Sequence, residues 1–143
     1  MAKVMALDVG EKTIGLAVSD ESETFCLPQK TILRLEGYKR DMAAVRNAIA
    51  EHSVEEIVIG LPIMMNGTQG IQAEKAEEFA GILRRYTNLP IHLQDERLST
   101  SEADKLLIKA DRSRTERKQV VDSVAASIIL QTFLDKRRGG VTR

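Results

Sequence analysis

Residues 4–19, VMALDVGEKTIGLAVS, decide how this chain folds. Residues 3–9 are nearly continuous apolar sequence, which is typical of a central strand that is buried on both faces. Residues 13–19 indicate a second strand, and the short Gly10-Glu11-Lys12 connection is typical of a hairpin. The chain is therefore expected to open with an antiparallel pair of strands, the first of which ends at the carboxylate of Asp8.

The next segments add one strand to this pair and then change character. A third strand is predicted over residues 24–33, where Pro28 indicates a sheet edge or a bulge. Apolar residues then recur at helical spacing over residues 38–52, and Glu-Ile-Val-Ile at residues 56–59 predicts a fourth strand. The first part of the chain is thus an antiparallel meander followed by a strand-helix-strand unit.

A second helix and a fifth strand complete the predicted sheet. The fifth strand covers residues 90–94, and the inner stripe of the helix comprises Ala76, Phe79, Ala80 and Leu83. The change from hairpins to strand-helix-strand units predicts an α/β fold with helices on both faces of a five-stranded mixed sheet. Its expected strand order is 3-2-1-4-5.

Two further helices have recognisable starts. Ser99 with Glu102, and Ser113 with Glu116, match the Ser-x-x-Glu capping box, so capping is favoured over catalysis for both serines. The 143 residues suffice for one core, and a single domain is expected over residues 1–137. The six residues that follow, 138–143, are expected to fray.

The composition is that of a soluble globular protein, with 43% apolar and 29% charged residues. No apolar run reaches the roughly 18 residues that a membrane span needs, and the N-terminus lacks the pattern of a signal peptide. No membrane association and a cytoplasmic location are therefore expected. Cys26 is the only cysteine, which excludes an internal disulfide and favours a small buried apolar residue.

The net charge of zero conceals an asymmetry between the two parts of the chain. Residues 1–96 carry a net charge of −5, and residues 97–143 carry +5. A basic stretch in the second part could hold a polyanion, although a solvated helical face explains the same charges. Its basic residues are Lys105, Lys109, Arg112, Arg114, Arg117 and Lys118.

Two carboxylates stand where an ionised group needs a partner. Asp8 ends an apolar strand, where it binds a metal or else caps the Gly10 turn. Asp122 begins a helical stripe that should face the sheet, so it is expected to point inward, although an ion pair with Lys118 is an alternative. The stripe continues through Ala125, Ala126, Ile129 and Phe133.

Glu96 is the third candidate carboxylate, just past the fifth strand. In the expected strand order, that strand lies about 9 to 10 Å from the first. A pairing with Arg97 is the simpler explanation for Glu96 taken alone. Three converging carboxylates would require a cation, since two unit charges 5 Å apart cost roughly 3 kcal/mol at an effective dielectric of 20. All-oxygen ligands suit Mg²⁺ or Mn²⁺, and Cys26, His52 and His92 make no zinc pattern.

Four motifs in this order resemble the YqgF (RuvX) proteins of bacteria, described as Holliday-junction-resolvase-like and as pre-16S ribosomal RNA nucleases. The resemblance covers almost the whole chain. It implies a ribonuclease H-like fold and assigns the catalytic, metal-binding acids to Asp8, Glu96 and Asp122. The motifs are residues 6–10 with 14–20, 60–62 with 66–68, 95–100, and 122–126 with 129–131.

The resemblance also implies a metal-dependent nuclease that processes the 5′ end of pre-16S rRNA. One departure from the wider superfamily is Gly60-Leu61-Pro62, which provides no carboxylate at the end of the fourth strand. Phosphate contacts are then expected from Lys12, Arg97 and the basic stretch, and they would position the substrate without specifying its sequence.

Other functions stay open at this point. A Holliday junction resolvase would act on DNA, and a non-catalytic nucleic-acid-binding module could use the same fold. An actin-like phosphotransferase also carries an Asp-x-Gly turn, but it needs two domains and this chain has the length of one. The sequence leaves monomer and homodimer equally open.

Overall fold

The structure is a computed structural model that describes residues 3–20, 26–29, 31–34, 37–61, 70–95 and 114–139. Helices and strands alternate in the second part of the chain, after an opening run of strands. The strands are β1 (Val4–Val9), β2 (Thr13–Ser19), β3 (Cys26–Pro28), β4 (Ile32–Leu33), β5 (Glu56–Leu61) and β6 (Ile91–Asp95). The helices are α1 (Tyr38–His52), α2 (Ile71–Leu83) and α3 (Arg114–Gly139).

The strands form one mixed sheet in the order β3-β2-β1-β5-β6. β1 is antiparallel to β2 and parallel to β5, and β5 is parallel to β6. β1 is therefore the central strand, as its continuous apolar sequence predicts, and the antiparallel meander that the first part of the chain predicts is confirmed.

The predicted third strand is the one correction to the sheet. It forms two short strands, β3 and β4, which both pair with β2, so the described sheet has six strands instead of five. Pro28 lacks an N–H group, so it donates no hydrogen bond to the ladder with Ala17. The chain leaves β3 there, where the Gln29 N–H still donates to the Leu16 carbonyl at 2.8 Å, and pairs again with the start of β2.

Helices cover both faces of the sheet, as predicted. Met5 and Leu7 of β1 pack in a core with Met42 of α1 and Phe79 of α2. The alternate β1 residues pack on the other face against α3, in a cluster formed by Val4, Ala6, Ala17, Val58, Ala126, Ile129, Leu130 and Leu134. Odd-numbered β1 residues thus face α1 and α2, and even-numbered ones face α3.

The helix ends differ in how closely the sequence placed them. α1 occupies residues 38–52 as predicted, following Gly37 at a φ of 83° that favours glycine. α3 continues to Gly139 and so includes the first two residues of the predicted tail, 138 and 139, whereas residues 140–143 and the helix predicted from Ser99 lie outside the described part. Within the described ranges, no helix has the length and apolar character to cross a bilayer.

Cys26 is only partly buried, whereas the sequence favoured a buried apolar residue. Its thiol donates to Oε1 of Gln131 at 3.4 Å, and it packs at the border of the α3 cluster. Its position in the short strand at the sheet edge explains the difference, because an edge strand has a neighbouring strand on one side only.

Candidate active site

Asp8 lies one residue before the end of β1 and is partly buried. Side chains alternate between the faces of a strand, so Asp8 shares a face with Val4 and Ala6. That face packs against α3. The carboxylate that the sequence singled out is therefore on the α3 side of the sheet, near the carboxyl end of the central strand.

Glycines flank Asp8 on both neighbouring strands. Gly15 of β2 is its register partner. On the other side, Leu7 pairs with Ile59, so the next residue, Gly60, is level with Asp8. Neither neighbour carries a side chain that would occupy the space beside the carboxylate on this face. A carboxylate oxygen is a ligand type that suits Mg²⁺ or Mn²⁺.

The direction of α3 shows which end of the sheet residue 122 approaches. Near the C-terminal end of α3, Arg137 binds Glu56 through both guanidinium nitrogens, Nη1 to Oε1 at 2.8 Å and Nη2 to Oε2. Glu56 is the first residue of β5 and pairs with Val4, so this contact is at the amino end of the parallel strands. The earlier turns of α3 run towards the carboxyl end, where Asp8 lies. The backbone of residue 122 therefore lies on the part of α3 that runs towards the carboxyl end of the strands. The side chain of Asp122 is not among those that the structure describes.

Two further residues interact with the ion pair between Glu56 and Arg137. His92 of β6 approaches Oε2 of Glu56 with Nε2 at 2.6 Å, and the guanidinium of Arg137 stacks over the Phe133 ring at 4.6 Å. Hydrogen bonding to Arg137 lowers the pKa of Glu56 below its ordinary value. Burial of the carboxylate raises the pKa and opposes this effect, and His92 lowers it further. This charged cluster secures α3 to β5 and β6 at the end opposite Asp8.

Glu96 itself lies outside the described residues, directly after the last residue of β6. Asp95 pairs with Leu61, and Gln94 pairs with Gly60, which brings Gln94 level with Asp8 two strands away. The two strands are separated by about 9 to 10 Å at the usual interstrand spacing. The chain therefore leaves β6 at the carboxyl end of the parallel strands, which is the end at which Asp8 lies.

The residues at the end of β6 separate by face. Gln94 shares the α3 face with Asp8 and is buried, whereas Asp95 is on the opposite face and exposed. The sequence did not single out Gln94. The only available signal was a polar residue at an inward position of a short strand, and that signal needs the strand register to become meaningful.

The predicted phosphate-binding residues fall into three groups. Lys12 is exposed in the turn between β1 and β2. Three more have backbone positions in the first turns of α3, with side chains outside the description: Arg114, Arg117 and Lys118. The remaining four lie outside the described residues: Arg97, Lys105, Lys109 and Arg112.

Arg34 is the other residue at this end of the sheet that sequence reasoning missed. It follows β4, and its guanidinium pairs with Asp41 of α1 while also donating to the carbonyl of Gly10. The pairing joins a strand end to the first turn of a helix, so no periodic pattern reveals it.

An open groove of about 480 Å³ borders the same turn. Its walls include Lys12, Arg34, Tyr38 and Lys75. Tyr38 and Phe79 belong to the core that α1 and α2 form, so the groove lies on the face of the sheet opposite to Asp8. It is therefore separate from the candidate metal site.

No group of three metal-ligating side chains converges within the described residues. Of the three predicted acids, Asp8 is the one whose side chain is among those described. The end of β1, the end of β6 and the early turns of α3 all lie towards the carboxyl end of the parallel strands, on the side of the sheet that α3 covers.

The fold is similar to that of solved structures of Holliday-junction proteins. The RuvC resolvase of T. thermophilus in complex with a Holliday junction substrate superposes with a TM-score of 0.60 over 97% of each chain, at 15% identity. The Holliday junction resolvase of fowlpox virus gives a TM-score of 0.53 at 12% identity, over 94% of this chain and 99% of its own. These likenesses define the fold, and the ribonuclease H-like class predicted from the sequence is confirmed.

Relatives at the sequence level are much closer. A family model described as "RuvX: Holliday junction resolvase" matches residues 2–136. A protein of Clostridioides difficile (strain 630) named "Putative pre-16S rRNA nuclease" is 47% identical over 133 residues, covering 93% of this chain and 94% of its own length. A protein of the same name from Thermoanaerobacter pseudethanolicus is 46% identical over 137 residues, covering 95% and 98%.

The fold and the sequence relatives identify a nuclease, a hydrolase of phosphodiester bonds. The chain belongs to the RuvX family, and the resemblance found from its four motifs is confirmed. Membership of this class implies a requirement for a divalent metal ion and the binding of nucleic acid.

Proposed function

We propose that this protein is a Mg²⁺- or Mn²⁺-dependent nuclease that processes the 5′ end of pre-16S rRNA in the cytoplasm. Its substrate is inferred from the names of relatives that match it over nearly their whole length. The observation that carries the catalytic part is the placement of Asp8 at the end of the central strand, with glycines on both sides and α3 running towards it.

In this proposal Asp8, Glu96 and Asp122 hold the metal. A divalent ion bound there would supply an activated water and positive charge for the oxygen that leaves in an in-line displacement at phosphorus. Asp8 contributes a carboxylate, and its own backbone is held in the sheet as part of β1. Glu96 directly follows β6, and Asp122 lies on α3, so three separate elements position the ligands.

The basic residues would hold the substrate backbone before the reaction. Lys12 projects from the exposed turn that follows Asp8, and Arg114, Arg117 and Lys118 stand on the turns of α3 nearest that end. Such contacts neutralise phosphates and position the strand without reading its sequence. With five Phe and Tyr residues and no Trp, the chain offers little surface for base stacking, which favours recognition of backbone and shape.

A cleavage assay with an isosteric variant tests this proposal. Asp8→Asn should abolish cleavage of a precursor RNA in Mg²⁺ or Mn²⁺, because removal of the charge weakens metal binding while nearly preserving the side-chain volume. Without metal, the melting temperature should stay level or rise, since repulsion between the carboxylates is relieved. Full activity of Asp8→Asn would exclude Asp8 as a ligand.

Asp95→Asn is the matched control. It removes a carboxylate next to Glu96 from the opposite face of β6 and should retain activity. A loss of cleavage activity as large as that of Asp8→Asn would mean that Asp95 is assigned to the wrong face at the end of β6.

A Holliday junction resolvase is the second candidate, because the family description names that activity and the fold is shared with RuvC. Purified protein incubated with a branched DNA and with a precursor RNA, in Mg²⁺, Mn²⁺ or chelator, separates the two. Symmetrical cutting of the junction needs two active sites and would indicate a dimer, whereas trimming an RNA end needs one.

A further inference from the structure

We propose that Arg34 is a positioning residue for the nuclease reaction: it fixes the β1–β2 turn and thereby sets the position of Asp8 for metal binding. This inference rests on the proposed role of Asp8. It concerns a residue on the opposite face of the sheet, which would not itself contact metal or substrate.

Arg34 holds the turn at two points. Its side-chain Nη1 donates to the Gly10 carbonyl at 2.6 Å, and its backbone N–H donates to the Lys12 carbonyl at 2.9 Å. The turn is closed internally by the Gly10 N–H, which donates to Thr13 at 2.8 Å. Because Gly10 is two residues beyond Asp8, movement of the turn would change the direction in which β1 ends.

The guanidinium is itself held by a buried partner. Its Nε donates to Oδ2 of Asp41 at 3.0 Å, and the Asp41 side chain is only 2% exposed. Within the described residues, the second oxygen of Asp41 is buried without a hydrogen-bond partner, so the Arg34 charge is the main compensation for that carboxylate. Arg34 is therefore an anchored bridge from α1 to the turn.

Two aromatic rings restrict the guanidinium further. It lies 5.9 Å from the Tyr38 ring centre and 5.5 Å from that of Phe79, which is fully buried. Packing against rings favours the planar guanidinium over a lysine ammonium. The fork also supplies separate nitrogens to Asp41 and Gly10, whereas lysine has one nitrogen for both.

Arg34→Lys separates positioning from folding because it keeps the positive charge beside Asp41. Mn²⁺ alone is the probe, titrated into the full chain by calorimetry in the absence of nucleic acid. We expect affinity about tenfold weaker, the lower end of what outer groups that orient metal ligands typically contribute. The melting temperature of the apo variant should stay close to that of the wild type, and cleavage should recover at saturating Mn²⁺.

Arg137→Lys is the matched control, since Arg137 also joins a carboxylate, Glu56, and an aromatic ring, Phe133, but at the far end of the strands. It should leave Mn²⁺ affinity unchanged. If Arg34→Lys destabilises the fold, the double variant Arg34→Gln with Asp41→Asn removes both charges together, and it should show the same loss of affinity.

The outcomes distinguish this inference from the proposed function. Wild-type Mn²⁺ affinity in Arg34→Lys or in the double variant, with affinity lost in Asp8→Asn, overturns the role of Arg34 alone. Undiminished affinity in Asp8→Asn overturns the metal site and, with it, this inference. An equal loss in Arg137→Lys would mean that general loosening of the fold is responsible, which also overturns it.

Discussion

Neutralising Glu56 should reduce stability at neutral pH and have little effect in acid. In the fold, this carboxylate receives both nitrogens of Arg137 and lies beside His92, and its side chain is 14% exposed. Charge-assisted hydrogen bonds of this kind contribute about 1.5 to 3 kcal/mol, which we reduce to about 1 to 2 kcal/mol because Arg137 is 36% exposed. Glu56→Gln should therefore lower the melting temperature by about 3 to 8 °C near pH 7 in a chain of this length.

The sign of the pH dependence follows from the lowered pKa of Glu56. Its contribution is complete above the ordinary value of 4.5, where the unfolded chain is also ionised, and it is lost as the pH falls through the lowered value in the fold. Melting curves from pH 7 to pH 3 should show the gap between wild type and Glu56→Gln closing below pH 4.5.

Glu55→Gln is the control for this series, because the neighbouring carboxylate is exposed. It should melt within a degree or so of the wild type throughout, as surface substitutions usually do. A gap for Glu56→Gln that stays constant from neutral to acid pH would refute the ionic origin of the stabilisation and leave only a packing effect.

Two further predictions concern nucleic-acid binding and the turn after Asp8. Neutralising Arg112, Arg114 and Arg117 together should weaken binding similarly across sequences and reduce the log-log salt slope by up to about one unit per lost phosphate contact. Single-turnover cleavage at saturating substrate should change far less, and an unchanged salt slope would leave these arginines as a solvated face. Gly10→Ala should weaken cleavage, because its Cβ would lie 3.1 Å from the Thr13 carbonyl oxygen in the turn; wild-type rates in that variant would show that the turn adapts without moving the metal site.

Local patterns in the sequence determined most of the framework. The apolar run of β1 and the helical spacing over residues 38–52 and 125–133 reflect side-chain periodicities of one element at a time, so they are legible without knowing the neighbours. The same patterns located Asp8 at a strand end. The four motifs then identified the family, and with it the class of fold and of reaction.

The sequence predicted the sheet less well where the pairing of a strand depends on its neighbour. Residues 24–33 have the composition of one strand, but whether a strand containing Pro28 continues depends on which ladder positions its partner offers. β2 supplies two separate pairing segments, and the chain uses both. The number of strands was therefore decided by pairing, not by propensity.

The contacts that tie the site to the rest of the fold were decided only in three dimensions. Glu56 meets His92 from 36 positions away and Arg137 from 81 positions away, and Arg34 reaches Gly10 across 24. The sequence determined that charged residues exist at these positions and that each belongs to a strand, helix or turn. Which of them become partners depends on strand order, register and the direction of α3 across the sheet, because a hydrogen bond requires its two atoms to lie within about 3 Å of each other, and no local spacing specifies that for residues on different elements.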